Sequence, residues 1–192
     1  WALSPRAHGA RFNDGPSSLG PWTKTIAPAW QAERMAVYAA MVETLDHGVG
    51  RITSELAQRH LQDNTIVIFL SDNGACQENV KPNWYDIPSQ TRDGEIIHVG
   101  NRPDFMPGPQ TVYQSYGPAW ANASNTPFRR FKHFTEEGGI SAPFIIRWPG
   151  HGAEPGRIEK SGVGDVIDLM PTLLQAAGAS YPTTFHGQAI TP

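Results

Sequence analysis

The stretch Thr65-Ile-Val-Ile-Phe-Leu-Ser-Asp-Asn-Gly74 decides the fold, because its apolar, β-branched run stops abruptly at Asp72 and Asn73. A short apolar run bounded by turn residues predicts a strand buried on both faces, as in parallel sheets. Asp72 and Asn73 then lie at the carboxyl end of that strand, where ligands bind in open α/β sheets. Their side chains offer two hard oxygen donors suited to Ca²⁺ or Mg²⁺. Both residues are also ordinary turn formers, so a metal site and a plain turn stay open.

Size and charge restrict the class of protein. The 192 residues, 39% of them hydrophobic, suffice for one substantial globular domain. A net charge of -3 disfavours a general nucleic-acid binder, whose domain would be basic. The apolar runs are far shorter than the roughly 20 residues that a transmembrane helix needs, so no membrane span is predicted. Cys76 is the only cysteine, which excludes an intrachain disulfide.

The rest of the chain reads as helices and one further buried strand. Apolar residues three and four apart predict a long amphipathic helix over about residues 31–61, in which Gly48 and Gly50 suggest close packing or a local bend. A second strand is predicted at Phe144-Ile-Ile-Arg-Trp148, and a last helix runs from about Val166 to Ala177 with Gly178 as its cap. Strands that alternate with helices indicate the α/β class, and we expect the two strands to be parallel.

Residues 78–127 form a long irregular stretch rich in Pro, Gly and Asn, with 95–99 as its only predicted strand. Its aromatic residues argue against disorder, so we interpret it as a folded loop near a site. A basic cluster follows, made of Arg129, Arg130, Lys132 and His133. A metal and a lysine that face one pocket would suit a sulfate or phosphate ester, because both stabilise charge on its oxygens. Composition alone favours a solvated basic face over such a binding role.

Several short motifs follow one another in an order that characterises a known family. They are Tyr38-Ala-Ala-Met-Val-Glu-Thr-Leu-Asp-His-Gly-Val-Gly50, Ser71-Asp-Asn-Gly74, Trp120-Ala-Asn-Ala-Ser-Asn-Thr-Pro-Phe-Arg129, Lys132 with Glu137-Gly-Gly139, Pro143-Phe-Ile-Ile-Arg-Trp-Pro149 and Val166-Ile-Asp-Leu-Met-Pro-Thr-Leu-Leu174. Together they resemble the sulfatase family, close to its bacterial-type arylsulfatases, over about residues 30–180. The resemblance implies part of an alkaline-phosphatase-like α/β sandwich, with a mostly parallel sheet flanked by helices. It also implies a hydrolase that converts sulfate esters to an alcohol and inorganic sulfate.

The resemblance also assigns roles to particular residues. Asp72 and Asn73 match an acid and amide pair of ligands to one Ca²⁺. Lys132 matches a catalytic lysine that contacts the sulfate group of the substrate. His133 follows that lysine, so a place beside the substrate and an ordinary loop histidine are equal alternatives. The implied substrate is a small-molecule or glycan sulfate ester, and the resemblance alone suggests a periplasmic or secreted location.

The nucleophile of the family is a formylglycine made from Cys or Ser at the start of a C/S-x-P-x-R motif, which the chain does not contain. Cys76 is not followed by x-Pro, and the segment from Asn125 to Arg129 has the spacing but begins with asparagine. We therefore expect a fragment that lacks the N-terminal formylglycine region and the C-terminal subdomain. By itself this fragment is expected to be inactive, and its sheet to need the missing half or an oligomer partner as cover.

As a single partial domain, the chain is expected to have five parts. They are a loop-rich entry at 1–30, a helix, strand and metal-ligand loop at 31–77, a substrate-side loop at 78–127, the basic cluster with a strand and a helix at 128–180, and a tail at 181–192. Two other functions stay open. A phosphatase or phosphonate hydrolase of the same superfamily would use a Ser or Thr nucleophile with two metals. A truncated, non-catalytic module would bind anions through the basic cluster.

Overall fold

In a computed structural model, which describes residues 22–151, 156–159 and 162–190, the predicted long helix is present as α1, Pro28–Gln58. Pro28 begins it, where a missing backbone N–H is harmless. The helix runs without a break through Gly48 and Gly50, and no atom lies within 4 Å of a Cβ built at either residue. Close packing at these two glycines, which the sequence suggested, is therefore wrong for the described residues, whereas a local bend stays a prediction.

The two halves of α1 differ in what covers them. Trp30 and Arg34, in the first half, are buried. The apolar face predicted for the second half is exposed, with Leu45 at 52% and Ile52 at 61% of their full accessibility. Among the described residues no layer covers this face, so the covering partner expected from the sequence stays a prediction.

The two predicted buried strands are present as β1, Val67–Leu70, and β4, Phe144–Arg147. They pair antiparallel, with Val67 opposite Arg147 and Leu70 opposite Phe144. The parallel orientation predicted for them is wrong, because a continuous apolar run reports burial and not direction, and the long connection between them permits either orientation. The prediction of burial on both faces also fails, because the four residues of β1 are only half-buried and those of β4 are all exposed.

The remaining elements of this part are short. They are β2, His98–Val99, β3, Val112–Tyr113, α2, Gly117–Ser124, and α3, Glu137–Ile140, together with 3₁₀ turns at Trp22–Lys24 and Gln62–Asn64. β2 and β3 pair in parallel, which confirms part of the strand predicted at 95–99. Every sheet among the described residues has two strands, so the mostly parallel, helix-flanked sheet stays a prediction.

The irregular stretch 78–127 is folded against the first half of α1. The Trp30 indole Nε1 donates to the Gln114 Oε1 at 2.8 Å, and the rings of Tyr38 and Tyr116 stack with centroids 4.5 Å apart. Val80 and Ala121 of this stretch belong to the buried core, together with Trp30 and Phe131. The stretch 78–127 is therefore folded, although it contains β3 and the helix α2, which the sequence did not predict.

The chain divides into two compact units after Gly152, and the second unit has its own short elements. They are a 3₁₀ turn at Val166–Asp168, then α4, Leu169–Ala176, and a hairpin of β5, Thr184–Phe185, with β6, Gln188–Ala189. Asp165 and Asp168 form a reciprocal capping box at the start, and Gly178 follows α4 with a φ of 65°. The predicted helix and its glycine cap are thus confirmed. None of the helices in the described ranges is long and apolar enough to span a bilayer.

Candidate functional site

The loop after β1 lies directly against the basic cluster. We call residues Ser71 to Glu78 the strand-end loop, and residues Arg129 to His133 the basic turn. The backbone N–H of Lys132 donates to the carbonyl oxygen of Ala75 at 3.1 Å. The main chain of Lys132 is thus bonded to a residue that is only two positions after Asn73 in the sequence. Two features almost sixty residues apart in sequence therefore meet at one end of β1.

The side chain of Asn125 holds these segments together. Its Oδ1 accepts from the backbone N–H of Ala75 at 3.1 Å, which fixes the strand-end loop. Its Nδ2 donates to the carbonyl oxygens of Arg130 at 2.9 Å and of Gly138 at 2.8 Å. One amide therefore satisfies three backbone groups from three segments. The sequence treated Asn125 only as the wrong first residue of a nucleophile motif, and no local pattern marked its structural role.

Three glycines allow the segments to cross at backbone contact. A Cβ added at Gly74 would overlap the carbonyl oxygen of Gly138, and one added at Gly138 would overlap the carbonyl oxygen of Arg130. A Cβ at Gly139 would overlap the carbonyl oxygen of Phe134. Glycine is needed at these positions because of close approach. Gly74, the last residue of the stretch Thr65 to Gly74, thus packs against Gly138 and Gly139 of α3.

Two residues of the basic turn have an unfavourable backbone conformation, and a buried phenylalanine between them stabilises the turn. Arg130 and His133 have φ values of 68° and 81°, in the left-handed region that side chains other than glycine rarely adopt. Such residues cost about 1–3 kcal/mol each and persist where the surroundings determine the conformation. Between them Phe131 is 1% exposed and contacts the edge of the Phe134 ring, with centroids 5.3 Å apart. The turn thereby presents Lys132 and His133 from a fixed position.

Both of these side chains reach one carboxylate, that of Glu78. Its Oε1 lies 3.8 Å from the Lys132 Nζ and 3.2 Å from the His133 Nε2. Its Oε2 accepts from the Cys76 Sγ at 3.3 Å. Because an ionised carboxylate only accepts, the His133 Nε2 carries the proton in this contact. Sequence reasoning missed Glu78, since a single acid in a long loop has no periodic or motif signal.

The cluster changes the acidity of two of its members. The pKa of the Glu78 carboxyl is lowered, chiefly by the hydrogen bond from Cys76, then by the one from His133, with a contribution from the charge of Lys132. Burial raises the pKa of the Cys76 thiol. At neutral pH Cys76 is therefore a protonated thiol that donates, and not a thiolate nucleophile.

The lowered pKa of Glu78 predicts a pH-dependent contribution to stability. A carboxyl whose pKa is lower in the folded state stabilises the fold above its unfolded pKa, near 4.5, and loses that effect as the pH falls through the folded value. Because the side chain is partly exposed, we expect Glu78→Gln to lower the free energy of unfolding at pH 6 by less than about 1 kcal/mol. This difference should shrink below pH 4.5 in urea titrations. A difference that is the same at pH 6 and pH 3.5 would contradict the assignment, and the exposed Glu95→Gln is the control.

Asp72 and Asn73 occupy the turn that the sequence indicated. Asp72 is exposed and Asn73 is half-buried, and the Ser71 hydroxyl donates to the Asn73 carbonyl oxygen at 3.0 Å. Their side-chain oxygens are of the kind that Ca²⁺ prefers, but Ca²⁺ takes six to eight ligands. Within the described ranges no group of three or more His, Cys, Asp or Glu residues is arranged to hold a metal. The two side chains could supply only part of a calcium coordination shell, so their role as metal ligands stays a prediction.

A polar network connects Glu78 to the buried end of α1. The Ser115 hydroxyl donates to the backbone carbonyl oxygen of Glu78, and the Asn101 Nδ2 donates to the Ser115 Oγ at 3.0 Å. The Arg34 Nε donates to the Ser115 carbonyl oxygen at 2.6 Å. Burial lowers the pKa of Arg34 to about 10, and its guanidinium lies 4.3 Å from the centre of the Trp30 ring. The folded loop 78–127 thus holds the main chain of Glu78 in place, whereas its effect on substrate choice stays a prediction.

Comparison with known proteins agrees with the motifs around this site. The family model described as Sulfatase matches residues 6–179. An uncharacterised sulfatase of Schizosaccharomyces pombe is 38% identical over 156 residues, which are 80% of this chain and 26% of that protein. An arylsulfatase of Klebsiella aerogenes is 34% identical over 156 residues, 78% of this chain and 30% of that protein. The human N-acetylgalactosamine-6-sulfatase is 29% identical, over 76% of this chain and 20% of that protein.

The chain belongs to the sulfatase family. This confirms the resemblance seen in the motifs, and membership implies an α/β fold of the alkaline-phosphatase type. The chain spans less than a third of the length of these three relatives. The matched residues include the stretch Thr65 to Gly74, the loop 78–127, the basic turn and β4.

Proposed function

We propose that the natural protein that carries this chain hydrolyses sulfate esters to an alcohol and inorganic sulfate. The observation that carries the proposal is the hydrogen bond from Lys132 to Ala75, which joins the basic turn to the loop that bears Asp72 and Asn73. A cation and a pair of hard oxygen donors thereby lie at the same end of β1. This is the combination that an anionic ester needs, since its charged oxygens must be stabilised while the bond to the alcohol breaks.

Each residue has a distinct part in the proposal. The Lys132 ammonium binds one sulfate oxygen as a compact point charge and stabilises the charge that develops there. Asp72 and Asn73 hold one Ca²⁺ together with ligands from outside the described residues. When bound, that ion would polarise a second sulfate oxygen. His133, whose Nε2 is occupied by Glu78, has its Nδ1 left for the substrate.

The nucleophile that the proposal requires is a formylglycine, and none of these 192 residues supplies its precursor motif. Cys76 is not such a precursor, because Gln77 and Glu78 follow it in place of x-Pro. The substrate class is supported by the relatives, which include an arylsulfatase and an N-acetylgalactosamine-6-sulfatase. We therefore propose a small-molecule or glycan sulfate ester as the substrate.

The proposal is tested by calcium-dependent hydrolysis of 4-nitrophenyl sulfate by the natural protein. We expect Asp72→Asn to raise the Ca²⁺ concentration needed for half-maximal activity by roughly tenfold or more, because it removes one of the charged ligands. Asp63→Asn is the matched control. Asp63 is an exposed acid that precedes β1 in the sequence, and its Oδ1 lies 3.8 Å from the Arg147 Nη2. Equal calcium requirements for the Asp72 variant and the unmodified protein would refute the metal assignment. Faster hydrolysis of 4-nitrophenyl phosphate than of the sulfate would refute the ester class.

A further inference from the structure

Glu78 is an acid that the fold places between the donors of this site, and the proposed function does not use it. Its carboxylate accepts from Cys76 on one oxygen and faces both Lys132 and His133 with the other. Its backbone carbonyl oxygen accepts from the Ser115 hydroxyl, so main chain and side chain are both held. Besides Cys76 in its own loop, two separate segments thus contact Glu78, the basic turn and the segment of Ser115.

We propose that Glu78 is a positioning residue, which holds the Lys132 ammonium and the His133 imidazole side by side so that both address one sulfate group. The inference rests on the proposed function for the identity of the anion. Its geometric part, that Glu78 orders the two side chains, stands on the distances within this chain. Glu78 itself, as an anion, does not contact the sulfate.

The need for such a residue follows from the nature of lysine. An ammonium on a flexible four-carbon stem loses up to about 2 kcal/mol of conformational entropy when it is fixed, so a preorganised lysine binds its anion more effectively than a free one. At 3.8 Å the Glu78 carboxylate orients the Lys132 Nζ without binding it tightly. The ammonium has three N–H donors, so those that do not face Glu78 remain for the sulfate group. The basic turn fixes the start of the stem and Glu78 fixes its end.

The same carboxylate determines the form of His133. Because Glu78 accepts at Nε2, the neutral imidazole is held with its proton on Nε2 and a free lone pair on Nδ1. The left-handed backbone of His133, with φ of 81°, brings the ring to Glu78 at 3.2 Å. A strained residue that makes a specific polar contact is typical of functional sites.

A first test uses nuclear magnetic resonance and does not depend on activity. In the unmodified protein we expect the ¹⁵N shifts of the neutral His133 ring to show the Nε2–H tautomer, and the Lys132 ammonium to give a detectable ¹H–¹⁵N signal at low temperature. Glu78→Ala should leave a mixture of ring tautomers and broaden the ammonium signal beyond detection. Glu55→Ala, which removes the carboxylate paired with Arg59 on α1, is the control and should change neither. Unchanged signals in Glu78→Ala would overturn the positioning role.

A second test separates positioning from a simple effect of charge. Removal of the Glu78 carboxylate ends its repulsion of sulfate but also frees the Lys132 ammonium, so the two effects on inhibition by inorganic sulfate should largely offset each other. Loss of positioning should at the same time lower kcat/KM for 4-nitrophenyl sulfate by roughly 100-fold, as expected when a catalytic group moves by about 1 Å. Glu78→Asp, which keeps the charge, should recover part of this loss, and Glu55→Ala should match the unmodified protein.

The outcomes of the two tests are distinguishable. Weaker sulfate inhibition and lower kcat/KM together with a lower unfolding temperature would mean that Glu78 only supports the fold, which overturns the proposal. An increase in kcat/KM in Glu78→Ala would mean that Glu78 merely masks the cations, which also overturns it. If the unmodified protein hydrolyses no sulfate ester at all, the proposed function fails, whereas the ring tautomer and the ammonium signal still decide whether Glu78 positions Lys132 and His133.

Discussion

We expect Lys132→Ala to lower kcat/KM for 4-nitrophenyl sulfate by about 100- to 1,000-fold in the natural protein, the usual loss when one preorganised charge-stabilising donor is removed. The expectation rests on the proposed role of the ammonium, which is to stabilise charge on a sulfate oxygen in a position that water cannot fill equally well. The fold should survive the change, because the bond from residue 132 to the Ala75 carbonyl oxygen is made by the backbone. Steady-state kinetics and a thermal unfolding curve, recorded on the same preparation, check both parts.

Two further variants make the Lys132 prediction specific. Lys132→Arg keeps the charge but replaces a compact ammonium by a planar fork, so we expect it to recover only part of the activity. Lys24→Ala removes an exposed lysine at the end of the first 3₁₀ turn, and its kcat/KM should equal that of the unmodified protein. If Lys132→Ala keeps full activity, the basic turn is a solvated surface and the assignment of the sulfate site is wrong.

The sequence predicted the elements of this site better than their arrangement. Periodicity located α1 and the last helix to within a few residues, since amphipathic patterns depend on near neighbours. It misjudged the direction of β4 relative to β1, because strand orientation depends on the path of the intervening chain. Asp72, Asn73 and Lys132 were selected because short motifs surround them. Their meeting at the end of β1 required the fold.

Glu78 and Asn125 show what a pattern search misses. Each acts through contacts with segments that are distant in sequence, Glu78 with the basic turn and Asn125 with Ala75 and Gly138. Neither residue type is unusual in a polar loop, so composition and spacing contain no signal for them. Their importance is visible only in the distances that join their side chains to these distant segments. Glu78 lies outside the quoted motifs, so the most informative variants of this protein are not confined to those motifs.

The close approach of α3 to the backbone of the basic turn predicts a large loss of stability. We expect Gly138→Ala to lower the free energy of unfolding by roughly 3 kcal/mol, at the upper end for an added methyl group, because the new Cβ would overlap backbone carbonyl oxygens of Arg129 and Arg130. Backbone atoms cannot rotate away as a flexible side chain does. The Asn125 amide bonds the carbonyl oxygens of both Arg130 and Gly138, so the displacement should also disturb the position of Lys132.

Gly48→Ala is the matched control for this prediction. It makes the same chemical change inside α1, where no atom lies within 4 Å of the added Cβ, so it should raise the free energy of unfolding by up to about 1 kcal/mol. Urea unfolding followed by circular dichroism measures both variants, which should shift in opposite directions. Gly138→Ala as stable as the unmodified protein would show that the segments do not cross at contact distance. The glycine pair before β4 would then have no part in holding Lys132 beside the loop of Asp72 and Asn73, which would leave Asn125, Phe131 and the hydrogen bond from Lys132 to Ala75 to hold the site.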